Sequence, residues 1–129
     1  MYKPYLLTAA LLGALAVALG AFGAHGLKSK VNPDTLQVFE TAVKYQFWHV
    51  FALIAVAVLY QTYPSNTMLW SGKFFIAGII LFSGSLYALT FFRAAGNENM
   101  NVLGAITPLG GLCFIAGWIL LAVGILRSV

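Results

Sequence analysis

The sequence is poor in charge, which excludes most soluble classes of protein. Only 8% of its 129 residues are charged, while 61% are hydrophobic, and the mean hydropathy is +0.91. Such a composition is too apolar for the surface of a small soluble domain. The seven basic residues outnumber the three acidic ones, but they lie near the ends of apolar runs rather than in one block. This distribution indicates membrane flanks and argues against nucleic-acid binding.

Cysteine and catalytic motifs are also scarce. The single cysteine, Cys113, excludes an internal disulfide and leaves the redox compartment undetermined. The sequence contains no phosphate-binding glycine loop, no HExxH or CxxC motif, no nucleophile elbow and no paired carboxylates inside the apolar runs. Nothing therefore identifies a catalytic residue, a metal site or a cofactor, and the chain is more consistent with a protein that is not an enzyme.

Long apolar runs are what the sequence does contain. A hydrocarbon core about 30 Å thick requires roughly 20 apolar residues per helix. We expect spans near residues 5–26, 45–62, 72–93 and 102–127, which predicts an all-α, integral membrane four-helix bundle forming one domain over residues 1–129. An even number of spans places both termini on one side of the membrane. The basic residues flanking the two faces do not decide the orientation; they are Lys3, Lys73 and Arg127 on one face, and Lys28, Lys30, Lys44 and Arg93 on the other.

The polar connection after the first span contains an amphipathic segment. Asp34 can cap a helix in which apolar residues recur at three- and four-residue spacing, and Glu40 and Lys44 form an i,i+4 pair on another face. We expect this helix to lie at the headgroup level and to lead into the second span near Tyr45.

Glycines at helical spacing predict close helix packing. Gly13 and Gly20 lie on the first span, and three glycines at heptad spacing lie on the fourth, Gly110, Gly117 and Gly124. In lipid, small residues let helix backbones approach one another. Glycine faces on both the first and the fourth helix are more than packing against one antiparallel neighbour each requires. We therefore predict a homo-oligomer, with membrane lipids as the other partner.

The only two histidines, His25 and His49, fall near expected span ends on one side of the membrane. Imidazole at membrane depth is costly unless it is paired. The pair is consistent with three roles: backbone-bonded structural residues, a proton or ligand relay with Glu40 or Tyr45, or ligands of a metal or haem iron. In each case we expect the two rings to reach each other or a shared polar partner.

Hydroxyl groups are concentrated in the third span. Four of them, Ser83, Ser85, Tyr87 and Thr90, could line a polar cavity or could bond to neighbouring helices. The spread of these residues around the helix favours bonding between helices.

Four segments together carry a family resemblance: GAFGAHGLK at 20–28, FETAVKYQFWH at 39–49, FSGSLY at 82–87 and GAITPLGG at 104–111. In order and spacing the sequence resembles the domain-of-unknown-function 423 family of small membrane proteins. The resemblance implies a four-helix membrane protein and no established reaction. The motif positions that it singles out are His25, Tyr45, His49, Ser83, Ser85, Tyr87, Thr107 and Pro108.

Three functions remain open at this stage. The first is an accessory or self-associating membrane component without a catalytic site, located in the bacterial inner membrane. The second is an oligomeric transporter or channel for a small solute or proton that uses His25 and His49. The third is a haem- or quinone-binding membrane protein. Sequence alone identifies no small-molecule ligand, protein partner or subunit number.

Overall fold

A computed structural model describes residues 1–97, 99 and 101–127, and these form four helices with no strand in the described part. The bounds are Lys3–Leu27 (α1), Pro33–Leu59 (α2), Asn66–Ala94 (α3) and Asn101–Leu126 (α4). All four are long and apolar enough to cross a membrane. The predicted all-helical fold with four spans is confirmed.

Local sequence signals set the helix ends. The side chain of Asn32 accepts a hydrogen bond of 2.8 Å from the amide of Thr35, and Pro33 occupies the first turn of α2. The hydroxyl of Ser65 caps α3 in the same way. Gly96, with φ of 86°, takes the left-handed conformation that ends α3.

The amphipathic segment is not a helix separate from the second span. α2 continues without a break from Pro33 to Leu59, so the boundary expected near Tyr45 does not occur. Its apolar face packs against α1, where a Cβ added to Gly23 would lie 2.8 Å from the ring of Phe39. Packing on a neighbouring helix, rather than on the headgroup layer, therefore buries this face.

Two short stretches depart from α-helical geometry. Residues Gly23–Leu27 at the end of α1 and Ile79–Ser83 within α3 form π-helical turns. The second contains Phe82, whose backbone a Cβ added to Gly110 of α4 would meet at 2.3 Å. Such turns change which residues of a helix face its neighbours.

α2 packs against both α1 and α3, and α4 packs mainly against α3. The core between them contains buried residues of every helix, including Ala9, Leu53, Phe75 and Phe114. The outer faces of α1 and α4 are lined by large exposed apolar side chains: Leu7, Leu11, Leu15, Leu112, Ile115 and Ile119. An apolar exterior around a packed core is the pattern that a lipid environment requires.

Candidate functional site

His49 lies in the middle of α2 and is only 5% exposed. Its ring stacks on Phe114 of α4 with the ring centroids 3.6 Å apart, and the ring of Phe75 from α3 lies 5.7 Å away. The ring of Tyr45, one turn earlier in α2, is stacked with the His49 ring at a centroid distance of 6.1 Å. The imidazole is therefore one member of an aromatic cluster between three helices.

Both nitrogens of the His49 ring have hydrogen-bond partners. The indole nitrogen of Trp118 lies 3.1 Å from Nε2, and the carbonyl oxygen of Tyr45 lies 2.8 Å from Nδ1. Because an indole N–H can only donate, Nε2 accepts, and the ring proton on Nδ1 is donated to the carbonyl. The ring is thus neutral and fully bonded, and it joins α2 to α4.

The prediction that the two histidines share a partner is wrong. His25 is exposed and lies in the last turn of α1. Gly13 faces Val50 across the α1–α2 contact, so His49 lies level with the middle of α1. At 1.5 Å per residue, His25 is about 17 Å farther along the helix axis. This separation excludes a site in which both rings bind one haem iron or one metal ion.

Gln46 links three helices through one buried amide. It is 1% exposed, its Nε2 donates to the carbonyl of Leu12 in α1 at 2.8 Å, and its Oε1 accepts from the hydroxyl of Tyr87 in α3 at 2.6 Å. The reverse orientation of the amide would place two acceptor oxygens against each other at Leu12. The geometry therefore fixes the amide orientation.

The other predicted hydroxyls also bond between helices. Ser83 donates to the carbonyl of Ala42 in α2 at 2.7 Å, and Ser85 lies 2.6 Å from the hydroxyl of Thr107 in α4. Thr107 in turn donates to the carbonyl of Leu103 at 3.1 Å. The hydroxyls of α3 thus point toward two different helices and do not line one cavity.

Glu40 does not belong to this buried network. It is exposed on α2 and, with Lys44, borders an open groove of about 180 Å³ between α1 and α2. The predicted polar cluster therefore divides into a buried network around Gln46 and His49 and an exposed end that holds His25 and Glu40.

The glycines of α4 face α3 within the chain. A Cβ on Gly110 would lie 2.3 Å from the backbone nitrogen of Phe82, and one on Gly117 would lie 2.7 Å from the ring of Phe75. Gly124 faces α3 more loosely, with its nearest neighbour at 3.3 Å. Close packing along this face is present, but an internal neighbour occupies it.

The glycines of α1 also face a helix of the same chain. A Cβ on Gly13 or Gly20 would make ordinary contacts with α2, at 3.6 and 3.5 Å. All five glycines therefore face helices of the same chain, and the expectation that they are more than packing within one chain requires is wrong. The homo-oligomer itself stays a prediction.

The buried network has little unused bonding capacity. In the described residues, every fully buried side-chain nitrogen or oxygen has a hydrogen-bond partner. The same residues contain no group of three or more His, Cys, Asp or Glu side chains that could hold a metal ion. The arrangement is suited to fixing the helices relative to one another.

Sequence reasoning missed Gln46, Trp118 and Ser71. Gln46 falls at the start of the expected second span and is not among the predicted site residues, although it lies on the same helical face as Phe39 and His49. Ser71 donates to the carbonyl of Gly117 at 2.7 Å and is fully buried. A three- and four-residue spacing continued through position 46 was the signal that could have placed Gln46 in the core.

Comparisons with known proteins agree with this architecture. The model of the family described as protein of unknown function (DUF423) matches residues 19–111. A UPF0382 membrane protein of Staphylococcus aureus is 44% identical over 94% of this chain and 93% of its own length. The UPF0382 membrane protein YwdK of Bacillus subtilis is 41% identical, with 97% and 98% covered.

A third relative is named a UPF0382 inner membrane protein, YgdD of Escherichia coli, and is 38% identical over 95% of this chain and 88% of its own length. No solved structure matches the chain. The family match covers most of the sequence, the relatives are aligned over nearly their full lengths, and the four long apolar helices are those of a multi-pass membrane protein. The chain therefore belongs to the DUF423 family of membrane proteins.

Proposed function

We propose that the protein is a non-catalytic component of the bacterial inner membrane that associates with a second copy of itself through the outer face of α4. The observation that carries the proposal is the pair of open glycines on that face. A Cβ added to Gly104 or Gly111 would meet no atom within 4 Å. The inner-membrane location is supported by the name of the Escherichia coli relative.

The two open glycines share one side of α4. They are seven residues apart, which corresponds to about two helical turns. Leu112 and Ile115 are 62% and 56% exposed, and they border the same lipid-facing surface. Small residues beside large apolar ones let two helices approach closely in lipid, where packing rather than hydrophobicity drives association. We call this surface, Gly104, Gly111, Leu112 and Ile115, the outer α4 face.

A transport function is less well supported by the polar side chains. A solute or proton path requires polar groups that can exchange partners along its length. The buried groups instead bond to fixed backbone carbonyls or to one another, as Gln46, Ser83 and His49 do. These bonds hold the helices together. The outer α4 face, in contrast, has open positions at which a second copy can pack.

Cysteine crosslinking in native membranes tests the proposal. In a Cys113→Ala background, Ile115→Cys on the outer α4 face should form a disulfide-linked dimer on mild oxidation. Leu7→Cys, equally lipid-facing but on α1 and 61% exposed, should remain a monomer.

A bulky side chain on the outer α4 face should then weaken the crosslink. Gly111→Leu is expected to reduce dimer formation at position 115, because the added side chain separates the two helices. Gly84→Leu is the matched control, since a Cβ there also meets nothing within 4 Å but lies on α3. Equal crosslinking from α1 and α4, or no effect of Gly111→Leu, would contradict the association surface.

A further inference from the structure

A polar cavity opens at the membrane face where α2 begins and α3 ends. Its volume is about 270 Å³, and the described residues that line it are Asn32, Asp34, Thr35 and Arg93. One water occupies roughly 30 Å³ in the liquid, so the cavity has room for a polar group of several atoms. It lies more than ten residues along α2 from Gln46 and His49, and it is separate from the outer α4 face.

The hydroxyl of Thr35 has an open bonding position in this cavity. Thr35 is 2% exposed, and its amide is already bonded to the side chain of Asn32. The hydroxyl makes no hydrogen bond within the described chain. Every side-chain oxygen that is fully buried in the described residues does have a hydrogen-bond partner, so the Thr35 oxygen is not one of the fully buried atoms. It is therefore not sealed in the core, and the space that it reaches is the cavity it lines.

Two opposite charges line the same cavity as this hydroxyl. Arg93 is half-buried in the last turn of α3, and Asp34 is exposed in the first turn of α2. The two side chains form no ion pair with each other. A guanidinium matches the geometry of a phosphate, and the amino end of α2 adds positive potential. A carboxylate that lines the same cavity suits a primary ammonium.

We propose that this cavity binds the phosphoethanolamine headgroup of a membrane phospholipid. Arg93 and the Thr35 hydroxyl bind the phosphate, and Asp34 binds the ammonium group. A ligand that carries both charges matches the site better than a simple anion does. The Asp34 carboxylate repels an anion that has no positive group to pair with it.

The position of the cavity selects a lipid rather than a soluble phosphate. Its residues lie at the ends of two membrane-crossing helices, which is the level at which headgroups are concentrated. Phe91 and Phe92 directly precede Arg93 and are 50% and 39% exposed. They provide apolar surface next to the cation, where the acyl chains of a lipid bound through its headgroup can lie.

Native mass spectrometry of the full-length wild-type protein in detergent micelles tests the headgroup directly. The micelles are titrated with dioleoyl phosphatidylethanolamine, phosphatidylglycerol and phosphatidylcholine, which share their acyl chains. Phosphatidylethanolamine should bind about fivefold more tightly than the other two, the size expected for one partly exposed charge pair. Phosphatidylglycerol lacks the ammonium, and the choline group has no N–H to donate to Asp34.

Variants separate the roles of the two charges. Arg93→Gln should weaken phosphatidylethanolamine and phosphatidylglycerol alike, whereas Asp34→Asn should remove only the preference between them. Thr35→Val should weaken binding, and Thr35→Ser, which keeps the hydroxyl, should restore it. Lys28→Gln is the control, because Lys28 is a cation exposed at the same membrane face that does not line the cavity.

Three results would overturn the assignment. The first is equal binding of the three lipids by the wild-type protein, a comparison that needs no variant to fold. The second is an effect of Lys28→Gln as large as that of Arg93→Gln, which would indicate general attraction of anionic lipid. The third is displacement of phosphatidylethanolamine by millimolar inorganic phosphate, which would identify a site for free phosphate.

Discussion

Gly110 and Gly111 are neighbours in α4 whose substitution by alanine should have opposite consequences. A Cβ on Gly110 would lie 2.3 Å from the backbone nitrogen of Phe82 and 2.7 Å from its Cα, whereas a Cβ on Gly111 would meet nothing within 4 Å. Both substitutions add the same methyl group to the same helix. Their difference therefore isolates the contact between α3 and α4.

The magnitude follows from the distance. Ordinary contacts of a Cβ begin near 3.4 Å, so α3 and α4 would have to separate by about 1 Å at Gly110. The obstacle is backbone, which cannot rotate away as the end of a flexible side chain can. Overpacking of this kind costs about 1–3 kcal/mol, while the helix propensity gained from glycine to alanine, up to about 1 kcal/mol, is the same at both sites. We expect Gly110→Ala to be less stable than Gly111→Ala by about 1–3 kcal/mol.

The assay is reversible unfolding in mixed micelles with increasing mole fraction of dodecyl sulfate, followed by tryptophan fluorescence and far-ultraviolet circular dichroism. Trp70 in α3 and Trp118 in α4 report on the two helices concerned. Gly104→Ala is a second control, since Gly104 is also open and lies on the same helix. The measurement uses protein diluted until the midpoint no longer depends on concentration, so that association does not contribute.

Equal midpoints for Gly110→Ala and Gly111→Ala would refute the reasoning. That result would mean that α3 and α4 are not in backbone contact at Phe82. A larger loss at Gly111 than at Gly110 would mean that α4 is rotated, with the other face toward α3.

Two further predictions concern the buried network. Gln46→Leu and Tyr87→Phe should each destabilise the protein. A double-mutant cycle in the same micelle assay should give a coupling near about 0.6 kcal/mol and no larger than about 1.7 kcal/mol, the mean and the maximum for hydrogen bonds between membrane helices. Zero coupling would show that the two side chains do not bond. His49→Phe, which keeps a stacked ring but loses the bonds to Tyr45 and Trp118, should lower stability by about 1–2 kcal/mol, whereas exposed His25→Ala should stay within about 0.5 kcal/mol of the wild type. Equal effects of the two histidine substitutions would contradict the different environments described for the rings.

Several features of the candidate site could be predicted from sequence and others could not. Hydroxyls at positions 83, 85 and 87 within an apolar run must find partners, and bonding between helices is the simplest solution in lipid. Which helix each hydroxyl reaches could not be predicted, because it depends on helix rotation. The π-helical turn at Ile79–Ser83 changes that rotation and has no clear sequence signal.

The error over the histidines has a single physical origin. The apolar pattern predicts a second span that starts near residue 45, which places His49 at the membrane boundary beside His25. In the structure α2 starts at Pro33, and twelve additional residues of helix displace His49 by about 18 Å toward the middle of the protein. The amphipathic pattern of residues 34–47 does not reveal whether its apolar side faces headgroups or another helix.

By itself, the sequence determined that the helices are surrounded by lipid, how many helices there are and where most of them begin and end. These features depend on runs of about 20 apolar residues, which are contiguous in the sequence. The expected limits of the first, third and fourth spans lie within a few residues of α1, α3 and α4, except that α3 begins six residues earlier, at Asn66. Only the tertiary structure decided which glycines are internal, as Gly110 is, and which are open, as Gly111 is. A helix sequence specifies a set of faces, but the neighbour of each face depends on how all four helices pack together.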